Sequence, residues 1–398
     1  MVIAKVNDTP VLIDKMPHLL KYMGSKREIL EFVTDSIRAL DADSDWICDL
    51  FAGTSVVSGS LKNIYNVHAN DIQLYSSIFS HTYFSNLKGI ENDTIKEIHV
   101  KCLEKINEFK ARYPQHVYNY DTIQTLEELN KLEALQQNLH HEDFNIGFHL
   151  FVKNYSGTYW SFEQCLWIDS IRAVAEMYAG RLEYYAILSS LIFSMSYNSP
   201  STGHYAQYRD ANSDNMQDIL SYRNREIWSY FEKKFEELVM TIGESDRDHK
   251  ISTLDYLDCL RIIKKGSIVY ADPPYQSVHY SRFYHALETL VRYDYPKVHY
   301  KGRYREDRHQ SPFCKKTTVH SAFRNLFQGV ADKKSHLVLS YSDTGMITID
   351  QVKDIARTTF KNTYDLDVLE KGHIHSKMGR SDIRQQGVVE YSINFKRK

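Results

Sequence analysis

Apolar runs that read as strands occupy the two ends of the chain, and the middle is patterned almost throughout as helix. Trp46-Ile47-Cys48-Asp49-Leu50-Phe51 reads as a short strand, after which Ala52-Gly53-Thr54-Ser55 turns the chain into a helix. A second strand is predicted to end at Asn70-Asp71, with the next helix from about Leu74. From about Phe84 to about Ile242 the apolar positions follow helical spacing. Leu126, Leu129, Leu132, Leu135 and Leu139 form one predicted stripe; Trp228, Phe231, Phe235 and Leu238 form another. Strand signals return at residues 267–271, at residues 336–341 and in the alternating residues 388–395. The expected fold class is therefore α/β. Residues 1–84 and 243–398 make a discontinuous domain around a mainly parallel sheet, and 85–242 make a helical insertion. Ligands of such a sheet bind at the carboxyl ends of its strands.

Candidate chemistry falls at those ends. Asp272-Pro273-Pro274-Tyr275 directly follows the strand at 267–271. A carboxylate beside a carbonyl can accept both N–H bonds of an exocyclic amine and favour a tetrahedral nitrogen. Adenine N6, whose lone pair is delocalised into its ring, needs such help, and Asp272 and the Pro273 carbonyl are expected to give it. The prolines fix the backbone and remove N–H groups that would compete, while Tyr275 offers a flat face to a base that has left its duplex. The same four residues also suit a plain turn capping a buried strand, so the neighbouring motifs decide. Asp49, Phe51, Gly53 and Ser55 frame the turn after the first strand, where small residues let a ligand approach a helix N-terminus. Asp71 follows at about the 20-residue spacing at which an acid bonds ribose hydroxyls. It equally suits a helix N-cap, and the two roles can coexist.

Upstream lies Leu20-Lys21-Tyr22-Met23-Gly24-Ser25-Lys26-Arg27. With it, the order of motifs resembles the Dam-like (D12 class, α-type motif order) DNA N6-adenine methyltransferases: a KWxGxK-type segment, an FxGxG loop, an acid, a target-recognition insertion, then DPPY. The resemblance spans most of the chain. It implies a Rossmann-like S-adenosylmethionine-dependent methyltransferase domain with a mostly helical inserted target-recognition domain. It also implies S-adenosylmethionine as cofactor, double-stranded DNA as partner, and a cognate restriction endonuclease as a further partner. Tyr22, Lys26, Asp71 and Asp272 fall on the family's cofactor contacts and Tyr275 on its contact to the base. Asp255-Tyr256 resembles the acid-aromatic pair before DPPY, which makes Asp255 a further cofactor candidate. Asn154-Tyr155-Ser156-Gly157 resembles the NxxG segment of the recognition region, and Lys21 and Tyr155 become candidate DNA contacts. Ser340-Tyr341-Ser342-Asp343-Thr344 resembles the strand end after DPPY, and the last strand fits a closing hairpin. Ser55 stands where the family usually has its second Gly, which implies a less close approach of backbone to cofactor and weaker affinity. Methylation of cytosine N4 or of adenine in RNA, and a non-catalytic nucleic-acid-binding module, are the alternatives.

Charge changes the picture only locally. The net charge of -2 does not point to a polyanion, but the long connection after DPPY does. There Lys297, Lys301, Arg303, Arg305, Arg308, Lys315, Lys316, Arg324, Lys333 and Lys334 outnumber Glu306, Asp307 and Asp332. Tyrosines from Tyr280 to Tyr304 are interleaved, so Tyr280, Lys301, Arg303, Arg305 and Arg308 are expected to bind nucleic acid. A solvated basic loop is the alternative. Phe323, Leu326, Phe327 and Val330, at helical spacing, are expected core. Residues 196–209, polar and aromatic after an apolar helix, are expected either to face the cleft, with Gln207 and Arg209 reading base edges, or to be a structural turn. The five cysteines, odd in number and without a CxxC pair, indicate neither a disulfide framework nor zinc, and no histidine spacing suggests a metal. No apolar run reaches bilayer length, and the start lacks a signal-peptide pattern, so a cytoplasmic enzyme is expected. With 42% hydrophobic residues in 398, the chain can bury one large and one smaller domain.

Overall fold

The computed structural model describes residues 16–20, 26–201, 203–274, 277, 279–376 and 385–398. The first α/β units are α1 (Leu30–Ala39), β1 (Trp46–Asp49), α2 (Val56–Leu61), β2 (Asn66–Asn70) and α3 (Leu74–Phe84). Helices follow: α4 (Thr94–Arg112), α5 (Leu126–Gln137), α6 (Leu150–Tyr155), α7 (Phe162–Glu176), α8 (Leu182–Asn198), α9 (Met216–Arg223) and α10 (Ile227–Thr241). The chain then returns to the sheet through β3 (His249–Ser252), α11 (Tyr256–Ile262) and β4 (Ile268–Ala271). Beyond DPPY come α12 (Tyr280–Phe283), α13 (His285–Arg292), the small hairpin of β5 (Val298–His299) and β6 (Tyr304–Arg305), and α14 (Val319–Asp332). β7 (His336–Ser342), α15 (Ile349–Phe360), β8 (Tyr364–Ser376) and β9 (Gln385–Arg397) close the fold.

The main sheet has the order β3-β2-β1-β4-β7-β9-β8. β3, β2, β1, β4 and β7 are parallel, and β9 pairs antiparallel with both β7 and β8. Strand alternation divides the central residues between two covers. Ile47, Val67, Ile268, Tyr270 and Val338 pack under α1 and α2, whereas Cys48, Val269, Ala271, Leu337 and Leu339 pack under α11, α14 and α15. Being covered on both faces is why these strands read as continuous apolar runs. From β1 the chain builds outward through β2 and β3, and later in the other direction through β4 and β7. The reversal lies between β1 and β4, so the ligand crevice of this topology opens at their carboxyl ends.

The helices α4, α6, α7, α8 and α10 share a third core, which includes Tyr75 and Phe79 of α3 and Leu287 and Leu290 of α13, while α5 and α9 meet in a small fourth one. The helical layer is thus anchored to both halves of the sheet domain. One predicted stripe is corrected: Leu129 is buried, but Leu135 is 51% exposed, and Glu133 and Gln136 are buried instead. A spacing of three residues advances only about 300° per step, so the stripe drifts around the helix. The long connection after DPPY is corrected too, since it is folded into helices and a hairpin. The expected core residues Phe323, Leu326, Phe327 and Val330 are buried in α14. β3 escaped the sequence reading because it is a half-buried edge strand of His249-Lys250-Ile251-Ser252, with a single apolar residue. Among the described residues, no helix is long and apolar enough to cross a membrane.

Candidate active site

Two adjacent strand ends build the site. β1 runs out into Phe51-Ala52-Gly53-Thr54 and β4 into Asp272-Pro273-Pro274, and both segments line one open cavity of ≈ 950 Å³. Lys26, Asp71, Ile72, Tyr75, His279, Tyr280 and His309 complete much of its wall. The loop after β1 is held by its neighbours: Leu50 donates its N–H to the Tyr270 carbonyl at 2.9 Å and Ala52 to that of Asn70 at 2.8 Å. Gly53 takes a positive φ of 52°, which suits a residue without a Cβ, and so turns its N–H towards Asp71.

Three carboxylates gather here from three neighbouring strands. Asp71 accepts the N–H of Gly53 at 2.9 Å and that of Gln73 at 2.8 Å, one on each oxygen. Both oxygens keep lone pairs for further donors. Burial pushes its carboxyl up, against those hydrogen bonds. Asp49 lies behind the loop, 2% exposed, with one oxygen accepting the Ser58 hydroxyl at 2.7 Å. Its other oxygen is buried without a hydrogen-bond partner among the described residues, and burial, reinforced by Asp272 and Asp71, pushes its carboxyl to about 7. Asp272 stands at the cavity, 3.1 Å from the Lys26 ammonium. Burial raises its carboxyl to about 6, with Lys26 pulling it down and Glu390 pushing it up.

Lys26 is itself shared. It also pairs with Glu390 of β9, which accepts the Ser340 hydroxyl at 2.8 Å. Glu390 was not among the predicted site residues. Its signal was an acid on the Glu390-Ser392-Asn394 face of β9, a face buried in the sheet.

With this geometry in place, the comparisons are decisive. The family model for D12 class N6 adenine-specific DNA methyltransferases matches residues 22–355. The chain belongs to this family. Its relatives include the modification methylase LlaI of Lactococcus lactis subsp. lactis, 26% identical over 345 residues, covering 85% of this chain and 48% of that protein. The modification methylase StsI of Streptococcus sanguinis is 26% identical over 353 residues, with 85% and 46% covered. The type II methyltransferase M.NlaIII of Neisseria lactamica is 25% identical over 359 residues, with 87% and 90% covered. The chain thus spans about half the length of the first two.

The remaining predicted contacts of the D12 site divide three ways. Lys21, Tyr22 and Tyr275 lie outside the described residues. Lys26, Phe51, Gly53, Asp71, Asp272, Pro273 and Tyr280 are brought together at the cavity. Several others are engaged elsewhere. Asp255 caps α11, accepting the Leu257 N–H at 2.9 Å, and is not in the cavity wall. Tyr155 is fully buried beneath Arg303, whose carbonyl accepts its hydroxyl. Arg303 spends its guanidinium on the carbonyls of Asn154 and Gln137. Arg305, 3% exposed, is held between Asp294 and Asp307. Arg209 and Lys301 pair with Asp218 and Asp210. Gln207 is exposed, while Arg308 and His309 line a cleft that shares Ile72, Gln73 and Ser281 with the main cavity.

Ser55 turns its side chain away from the cavity. It adopts φ 56°, the left-handed conformation that a glycine would favour, yet its hydroxyl points inward to that of Ser80 at 2.7 Å. Ser55→Gly would relieve about 1 kcal/mol of backbone strain and lose a hydrogen bond of similar worth. We expect its stability within about 1 kcal/mol of wild type and its cofactor affinity, by calorimetry, within about threefold. A tenfold gain in affinity would show that the serine does crowd the ligand.

Proposed function

We propose that this protein is a site-specific DNA methyltransferase of restriction-modification type, acting in the cytoplasm. It transfers the methyl group of S-adenosylmethionine to N6 of an adenine flipped out of double-stranded DNA, with α4 to α10 as its target-recognition domain. The observation that carries this reading is the shared cavity, in which residues 51–54 and Asp272-Pro273 face one space. That space opens to solvent, which gives a base a way in beside the cofactor.

The donor set fits the cofactor. Asp71 has acceptor capacity for ribose hydroxyls, Phe51 and Ile72 present apolar surface to a purine, and the cluster of carboxylates suits a ligand bearing cationic groups. When bound, S-adenosylmethionine supplies an activated methyl on sulfonium sulfur. Asp272 accepts a hydrogen bond from one N6–H and the Pro273 carbonyl from the other, which aims the nitrogen lone pair; once the nitrogen is methylated its surplus proton leaves to solvent by way of the Asp272 carboxylate. As positive charge develops on nitrogen, the fixed carboxylate stabilises it without reorganisation. Tyr280 and His279 line the side on which the base enters, and Gln207 and Arg308 are offered to the DNA around it. The relatives named as modification methylases support a cognate restriction endonuclease as partner.

The test is nucleoside mass spectrometry after incubation of the protein with S-adenosylmethionine and duplex DNA. N6-methyladenine is expected. N4-methylcytosine would reassign the base, and no methylated nucleoside at all would end the proposal. The acid limb supplies a second check. Because Asp272 must be ionised and its carboxyl stands at about 6, kcat should be level above about pH 7 and fall as pH is lowered through about 6. A rate independent of pH down to about 5 would exclude Asp272 as the acceptor.

A further inference from the structure

Glu390 occupies a costly position. It is 1% exposed in the middle of β9, and one carboxylate oxygen is buried without a hydrogen-bond partner among the described residues. Its other oxygen holds both the Lys26 ammonium and the Ser340 hydroxyl. A half-satisfied carboxylate in a sheet interior destabilises the fold, and a neutral residue there would pack with less penalty. Through Lys26 it is tied to the active site: Lys26 reaches from it to Asp272, 3.1 Å away. The trio of two carboxylates and one ammonium carries a net charge of about -1 when all are ionised.

We propose that Glu390 is a positioning residue for methyl transfer, holding Lys26 so that Asp272 is oriented but only partly neutralised, and leaving the pocket with a surplus negative charge matched to a sulfonium cation. The proposal rests on the assignment of Asp272 as the acceptor. Among the described residues, the other titratable groups around the trio are Asp49 at the end of β1, Asp71 beyond β2, Tyr270 on β4 and Lys371, paired in register with Glu390 on β8. Asp49 and Asp71 add to the negative field. Tyr270, its hydroxyl pushed far up by burial, stays neutral.

Glu390→Gln keeps the shape and removes the charge. Lys26 then meets Asp272 without the competing Glu390 charge, so kcat should fall about 10- to 100-fold with KM for DNA little changed. The acid limb of kcat should move to lower pH, because Glu390 no longer pushes the Asp272 carboxyl up. A purely structural role would lower the amount of folded enzyme without moving that limb. Calorimetry gives a readout independent of turnover and of DNA: the preference for S-adenosylmethionine over S-adenosylhomocysteine, whose sulfur is neutral, should shrink about tenfold in Glu390→Gln. Glu390→Asp, which keeps the charge, should retain that preference while losing rate through poorer placement of Lys26. If the glutamine variant does not fold, the aspartate variant decides. Reduced kcat with the preference kept supports the proposal; wild-type kcat overturns it. A folded Glu390→Gln with unchanged ligand preference and an unmoved acid limb also overturns it. That failure differs from the absence of N6-methyladenine from wild type, which would sink the proposed function itself.

Discussion

Asp272→Asn is expected to abolish methyl transfer and at the same time raise the melting temperature. The asparagine has nearly the same shape, but it cannot place a full negative charge against the nitrogen as it becomes cationic. Loss of a preorganised charge of this kind costs roughly 10³-fold or more in kcat. Stability moves the other way. The folded carboxyl stands at about 6, above the ordinary value of about 3.9, so folding disfavours its ionised form. For such a group, stability is fully present below the unfolded value and is lost as pH rises through the folded one. At neutral pH wild type bears that penalty and the variant does not. The gain, discounted for the attraction to Lys26, is about 1–2 kcal/mol and should narrow as pH falls towards about 4. Calorimetric unfolding at two pH values and a methylation assay check both halves. A variant that is inactive and also strongly destabilised would mean that Asp272 serves the fold rather than the chemistry.

The strand ends that carry the chemistry were legible because the local sequence states them twice. An apolar run buried on both faces marks β1 and β4, and each is followed at once by residues with special backbones or acceptors: Gly53, then Asp272-Pro273-Pro274. What was illegible was pairing across distance. Counting cations after DPPY suggested a phosphate surface, but Lys301 meets Asp210, 91 residues earlier, and Arg303 meets the Asn154 carbonyl, 149 residues earlier. A count of charges cannot distinguish an arginine that waits for phosphate from one that staples two loops. The same blindness hid Glu390, 364 residues from its lysine. It also hid the convergence of Cys48, His68 and Cys259 in the core, whose ligand-type atoms lie within 4.8 Å of one another despite unremarkable spacing.

The second large effect is expected among the helices between β2 and β3. Arg223, at the end of α9, has a side chain with 0% exposure. Its Nε donates to Glu133 of α5 at 2.6 Å, and a terminal nitrogen donates to the Thr158 carbonyl at 2.6 Å. Glu133 is itself buried, and its backbone carbonyl lies 2.5 Å from where a Cβ on Gly157 would stand, so the turn after α6 closes tightly over this pair. Arg223→Ala leaves a buried carboxylate without its cation and a carbonyl without its donor. The cost should be about 3–5 kcal/mol, read as a lower urea midpoint with little change in slope. The pair is nevertheless imperfect, because the second terminal nitrogen of Arg223 is buried without a hydrogen-bond partner among the described residues. Replacing both members with apolar residues, Arg223→Met with Glu133→Leu, should therefore recover most of the loss. Cofactor affinity at the sheet cavity should be unchanged in the folded double variant, since neither residue lines it. A single variant within 1 kcal/mol of wild type would mean that Glu133 takes up a proton or finds water once its partner is gone.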